Sequence, residues 1–141
     1  MIAYWYENEI EDARNKVHNY SSDTFKMMLS GLTLDLAADE VKADITEITA
    51  GSGYTAGGQT LANVVITRVG GLWTFTSDPV VWTWSGTDSP QIRSAIIYND
   101  TPTSPADPLV IGIQYNAIFI QPDGVPLTIT PNATTGWGYR T

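Results

Sequence analysis

Cysteine is absent from the 141 residues, histidine occurs once, and seven Lys and Arg stand against fifteen Asp and Glu. Each shortage removes a class of chemistry. Without thiols there is no thiol nucleophile, no Cys-x-x-Cys redox pair, no thiolate zinc site and no iron–sulfur ligation. The single His18 sits in a charged N-terminal stretch between Val17 and Asn19. There it reads as a polar residue at a helix end rather than as the base of a Ser–His–Asp arrangement. A net charge of −8 and a pI near 4.3 repel phosphate backbones and anionic lipid surfaces, so neither nucleic acid nor membrane is expected as a partner. Long apolar runs are missing too. The longest, residues 109–120, contains Gln114 and Asn116 and falls well short of the ~20 residues that span a bilayer. The start, MIAYWYENEIEDAR (1–14), carries acids where an export signal would carry positive charge, so no export signal is expected. The sequons at Asn19, Asn99 and Asn132 then read as by-products of an Asn- and Thr-rich sequence.

What is present is apolar, aromatic and unevenly arranged. At 43% hydrophobic residues the chain has material for one core and one domain, with no need of a disulfide or structural metal. Residues 1–50 hold ten of the fifteen acids, whereas 51–141 is rich in Gly, Thr, Trp, Ile and Val. This contrast predicts an N-terminal arm (1–23), a β domain (24–131) and a C-terminal tail (132–141). In the arm, Tyr6, Ile10, Ala13 and Val17 form one stripe at helical period, with Glu7, Glu9, Glu11 and Asp12 ahead of Arg14, Lys16 and His18. Val41, Ile45 and Ile48 repeat the spacing within a second, shorter helical stretch, 38–48. Strands are predicted at 24–29, 61–69, 72–76, 80–84, 92–98, 109–115 and 126–130, with Gly70-Gly71 as a two-residue hairpin turn. TPTSPADP (101–108), with three prolines, reads as a stiff exposed loop. The fold class is therefore mainly β, an antiparallel β-sandwich or jelly-roll-like domain with a short helical N-terminal arm.

Candidate chemistry is sparse. Asp35, Asp39 and Glu40 lack the alternating ligands and turn glycine of a calcium loop, and read as solvated acids at a helix start. Asp78, Asp88, Asp100, Asp107 and Asp123 could supply a carboxylate pair for glycoside hydrolysis, but each stands beside Pro, Gly, Ser, Asn or Thr, where Asp forms turns. GSGYTAGGQT (51–60) has four glycines, no lysine, and runs into a β-rich segment, so it is not a phosphate cradle. No enzyme activity, metal or cofactor is expected. Of the aromatics, Trp73, Phe75, Trp82 and Trp84 lie in strands and are expected in the core. Tyr4, Trp5, Tyr6, Trp137 and Tyr139 lie at the termini, where docking onto a partner or a neighbouring copy is the better explanation.

The succession HNYSSDTFKMML (18–29), VKADITEITAGSGYTAGGQTL (41–61), DPVVWTWSG (78–86) and AIIYNDTPTSPADPLVIG (95–112) resembles a family of small β-rich virion proteins of tailed bacteriophages. Members of this family are typically encoded near the major capsid protein. GYTAGGQTL and AIIYNDT are the most distinctive parts; the two ends of the chain depart from the pattern. The resemblance implies a capsid decoration or cement protein on the virion surface, made in the host cytoplasm, with the major capsid protein and copies of itself, a homotrimer, as partners. The expected interface is then Tyr4, Trp5 and Tyr6, Tyr54, Gly57 and Gly58 of the glycine loop, and Trp137 and Tyr139. A tail or head–tail connector component is the runner-up. A carbohydrate-binding module for host adsorption is the alternative from another class, and would require surface rows of Trp and Tyr.

Overall fold

The computed structural model describes residues 2–140; positions 1 and 141, the outermost residues of the expected arm and tail, lie outside it. The chain is mainly β, and every pairing between its strands is antiparallel. In chain order the elements are β1 (Ile2–Trp5), α1 (Asn8–Arg14), β2 (Phe25–Ser30), β3 (Gln59–Thr60), β4 (Val65–Val69) and β5 (Leu72–Thr76). They continue with β6 (Val80–Trp82), β7 (Ile92–Asn99), β8 (Leu109–Phe119), β9 (Leu127–Ile129) and β10 (Gly138–Arg140). A five-stranded sheet has the order β1-β8-β7-β2-β3, a three-stranded sheet the order β10-β5-β4, and β6 pairs with β9. Among the described residues no helix is long and apolar enough to cross a membrane.

The five-stranded sheet is apolar on both faces. In β2 only Lys26, and in β7 only Arg93, escapes full burial, and the first five residues of β8 are buried as well. Opposed residues share a face, so Met27, Ile97 and Ile111 look one way together with Leu29, Ala95 and Ile113. They join Phe75, Val80, Trp82, Trp84, Leu127, Ile129 and Trp137 in the main core, between this sheet and the two smaller ones. Met28, Ile96, Tyr98 and Leu109 form a second core on the opposite face, closed by Tyr6 and by Leu34, Leu36 and Ile45.

That second cover explains why the helix predicted over 38–48 shrinks to a single 3₁₀ turn, Lys42–Asp44. Asp35 Oδ1 accepts from the Ala37 and Ala38 amides, Asp44 Oδ2 from those of Glu40 and Val41, and the Ile48 amide donates to Leu29 O at 3.0 Å. Short acidic side chains bonding local amides compete with helix, and the segment stays irregular enough to lie across the sheet. The N-terminal arm is likewise not a free helix: β1 is an edge strand paired with β8, and α1 has seven residues. The predicted strand 61–69 begins only at Val65, because Leu61 N donates to Phe25 O, Ala62 O accepts from Asp78 N, and Asn63 turns the chain at φ +53°. The Gly70-Gly71 hairpin forms as predicted, with Val69 opposite Leu72 and φ positive at both glycines.

The glycine loop is framework. The Tyr54 hydroxyl donates to Glu47 Oε1 at 2.6 Å and accepts from the Leu29 amide, while Gly57 N donates to the same carboxylate oxygen. The Tyr98 hydroxyl donates to Gly57 O at 2.7 Å. Gly58, at φ +75°, is pressed so closely on β2 that an added Cβ would lie 1.8 Å from Met27 O. Gly58→Ala is therefore expected to lower unfolding free energy by at least about 2 kcal/mol. Gly70→Ala, at positive φ but facing open space, should cost about 1 kcal/mol. Chemical denaturation of the two variants checks the contrast.

Candidate interaction surface

The two ends of the chain meet. β1 is one edge of the five-stranded sheet and β10 one edge of the three-stranded sheet, and the Trp5 indole N–H donates to Tyr139 O at 3.0 Å across 134 positions of sequence. Trp5 is half-buried against Phe75, with ring centroids 6.5 Å apart. Between the two strands opens a cleft of about 590 Å³ lined by Ile2, Tyr4, Trp5, Pro131, Trp137 and Tyr139, among others. Ile2, Tyr4 and Tyr139 expose 53%, 41% and 52% of their surfaces there. Four of the eight residues expected at an interface, Tyr4, Trp5, Trp137 and Tyr139, are thus brought to one place.

The other expectations need correction. Tyr6 and Tyr54 are core residues, and Trp137, though it lines the cleft floor, is 2% exposed with its indole N–H donating to Ser77 Oγ at 2.8 Å. Gly57 and Gly58 pack against Tyr98, Lys42 and the β2 backbone rather than facing outward. Tyr6 and Trp137 are buried because they pack against strands sixty or more positions away, Tyr6 N donating to Val110 O and the Trp137 indole to Ser77. Trp73, expected in the core, is 45% exposed, unlike Phe75, Trp82 and Trp84. Trp73 and Tyr139 lie on opposite faces of the three-stranded sheet, since Trp73 opposes Arg140 and Tyr139 opposes Thr74. Two of the most exposed rings therefore do not form the row that a sugar platform requires. Sequence reasoning missed Arg68 and Trp73 as a surface pair. Counting back from the Gly70-Gly71 turn gives their cross-strand pairing, Val69 with Leu72 and Arg68 with Trp73.

Behind the cleft lies a polar cluster. Glu9, 4% exposed, accepts from the Tyr20 hydroxyl and forms an ion pair with Arg140 at 2.8 Å. Burial, and then the Glu9 carboxylate, push the Tyr20 hydroxyl far above its ordinary range. The Asn99 side-chain amide donates to Asp23 Oδ2 at 2.7 Å and lies 3.1 Å from His18 Nδ1, which accepts from it in the tautomer protonated at Nε2. His18 Nε2 stands 4.0 Å from Asp12. His18 is thus a buried structural residue, not a solvated helix end. The turn aspartates are also occupied: Asp123 accepts from Gly86 N, Asp88 from Asp123 N, Asp78 from Asn63, and Asp100 pairs with Lys26. Among the described residues no group of three or more His, Asp or Glu could hold a metal ion.

Burial holds the His18 imidazole below its ordinary pKa, although Glu9, Asp12 and Asp23 pull the other way. The native state therefore takes up fewer protons at this site than the unfolded chain. Its contribution to stability is complete above pH ~6.5 and is lost as pH falls from there through the folded-state value. His18→Gln should flatten the decline in urea midpoint measured from pH 8 down to pH ~5. At the cleft, Trp137→Ala should cost about 3–5 kcal/mol, whereas Tyr139→Ala should stay within about 1 kcal/mol, as measured by thermal and urea unfolding.

The chain matches no protein-family model, no curated protein and no solved structure.

Proposed function

We infer that this chain is a virion structural protein of a tailed bacteriophage, in the role of a capsid decoration protein. Its body is a β-sandwich that binds the major capsid protein and further copies of itself, as a homotrimer. The observation that carries this reading is the cleft at the paired termini. Two open edge strands and the exposed side chains of Ile2, Tyr4 and Tyr139 converge on a rigid β body. Exposed edge strands flanked by large apolar side chains are places where a second protein adds contacts, and a part that works by attachment needs such a surface. The resemblance supports the same reading. Its two most distinctive segments, GYTAGGQTL and AIIYNDT, touch through the bond from Tyr98 to Gly57 O, so they mark one structural unit.

Attachment through this cleft is apolar in character. Truncating an aromatic side chain at the centre of an interface commonly costs ~2 kcal/mol or more, whereas charges at its rim act mainly on the rate of encounter. Immunogold labelling of particles of the encoding phage with antibody to the purified protein should decorate the head at many positions. Label confined to the tail, or absent, would overturn the proposal. The double variant Tyr4→Ala/Tyr139→Ala should fold normally and lower head occupancy by about tenfold or more, while ~0.5 M salt leaves wild-type occupancy largely intact.

A further inference from the structure

Helix α1 does not turn its apolar stripe inward. The residue it buries is Glu9, whereas Ile10 is 45% exposed and Ala13 is exposed too. Across from them, on the core-side face of the β4–β5 hairpin, stand Ile66 and the exposed Trp73, and between the two walls opens a hollow of about 320 Å³ floored by Trp5 and Tyr20. Most polar groups of its floor are engaged, Arg140 Nε being the exception. Glu9 accepts from the Tyr20 hydroxyl and pairs with Arg140, whose guanidinium lies 4.8 Å from the centre of the Trp5 ring. A sugar would find few free hydrogen-bonding groups there; an apolar side chain would find aromatic and aliphatic walls.

The rim has the opposite charge from the molecule. Arg14 lines the hollow on the last turn of α1, and the Arg68 guanidinium lies over Trp73, 5.7 Å from the ring centre. Neither makes an ion pair among the described residues. Arg140 is neutralised by Glu9, so Arg14 on the wall and Arg68 beside Trp73 are the cations without an ion pair at this apolar hollow, on a protein of net charge −8. Remote acids are screened within about 8–10 Å at ordinary ionic strength, so the field felt at the hollow is that of its own rim.

We propose that this hollow is a docking site for a segment of another protein that inserts one large apolar side chain and sets carboxylates against Arg14 and Arg68. A short segment with an apolar side chain between carboxylates meets both the walls of the hollow and its two rim cations. The site lies beside the cleft at the termini but is independent of the virion reading, since it rests on the walls and rim of the hollow alone.

The probes are two capped peptides with one central leucine, flanked by aspartates in the first and by lysines in the second. They are titrated into the full-length protein while the Trp73 indole N–H signal is followed by NMR. The aspartate peptide should bind and shift that signal, and should weaken about tenfold or more in Trp73→Ala and in Arg68→Glu, read by calorimetry. Val69→Ala, exposed on the other face of the same hairpin, should leave binding unchanged. Equal binding of the lysine peptide would overturn the proposal, as would no binding of the aspartate peptide or indifference to Trp73→Ala. Concentration-dependent self-association in sedimentation, abolished by Arg68→Glu, would put a second copy in the hollow and overturn it too.

Discussion

A sheet that is apolar on both faces must be covered twice, and most of this molecule follows from that requirement. β2, β7 and the first half of β8 bury nearly every residue, and most of their side chains are apolar on both sides. One cover is supplied by the two small sheets and the indoles of Trp82, Trp84 and Trp137. The other has no strands of its own and is improvised from Tyr6, Leu34, Leu36 and Ile45. Each fully buried side chain of this size is worth about 1.5–3 kcal/mol. Stripping either cover would therefore expose more apolar surface than a domain of marginal stability tolerates.

Both covers are fastened by hydrogen-bonded carboxylates, of which Glu9 is buried and Glu47 and Asp23 half-buried. Glu47 binds the Tyr54 hydroxyl and the Gly57 amide, so the glycine loop and the second cover are tied to the same edge of β2. Glu9 joins α1 to Tyr20 and, through Arg140, to the C-terminal strand. Asp23 and His18 meet on Asn99 at the end of β7. A buried charge without a partner is strongly destabilising, so each of these groups fixes the segments that bring its partners. Part of the acid excess in the first fifty residues is thus internal fastening rather than solvated surface.

The same economy shapes the exterior. Because α1 spends its inward position on Glu9, its aliphatic residues are left outside, opposite Trp73. Because β1 and β10 close the sheets at the two chain ends, Tyr4 and Tyr139 flank a cleft while Tyr6 and Trp137 disappear inward. Tyr4 and Tyr6, like Trp137 and Tyr139, stand two residues apart, so strand alternation does not separate them; Tyr6 and Trp137 lie just beyond β1 and β10 and pack into the two cores.

The strands that were legible in the sequence were those whose signal is local. The apolar runs of β7 and β8 and the Gly70-Gly71 turn depend on neighbours a few residues apart and appear in the fold close to where they were read, whereas the strand read over 80–84 stops at Trp82 and leaves Trp84 outside it. The absence of cysteine excludes thiol chemistry without any structure, and Asp78, Asp100, Asp107 and Asp123 stand in turns or bends as their neighbours suggest. The tertiary structure alone decided which of the terminal and loop aromatics are inside. Trp5 bonds Tyr139 across 134 positions, Trp137 bonds Ser77 across 60, and Tyr98 bonds Gly57 across 41. Periodicity reports which face of a segment is apolar, but only the arrival of a distant partner determines whether that face is covered, and at the two ends of this chain those partners are β8 for β1 and β5 for β10.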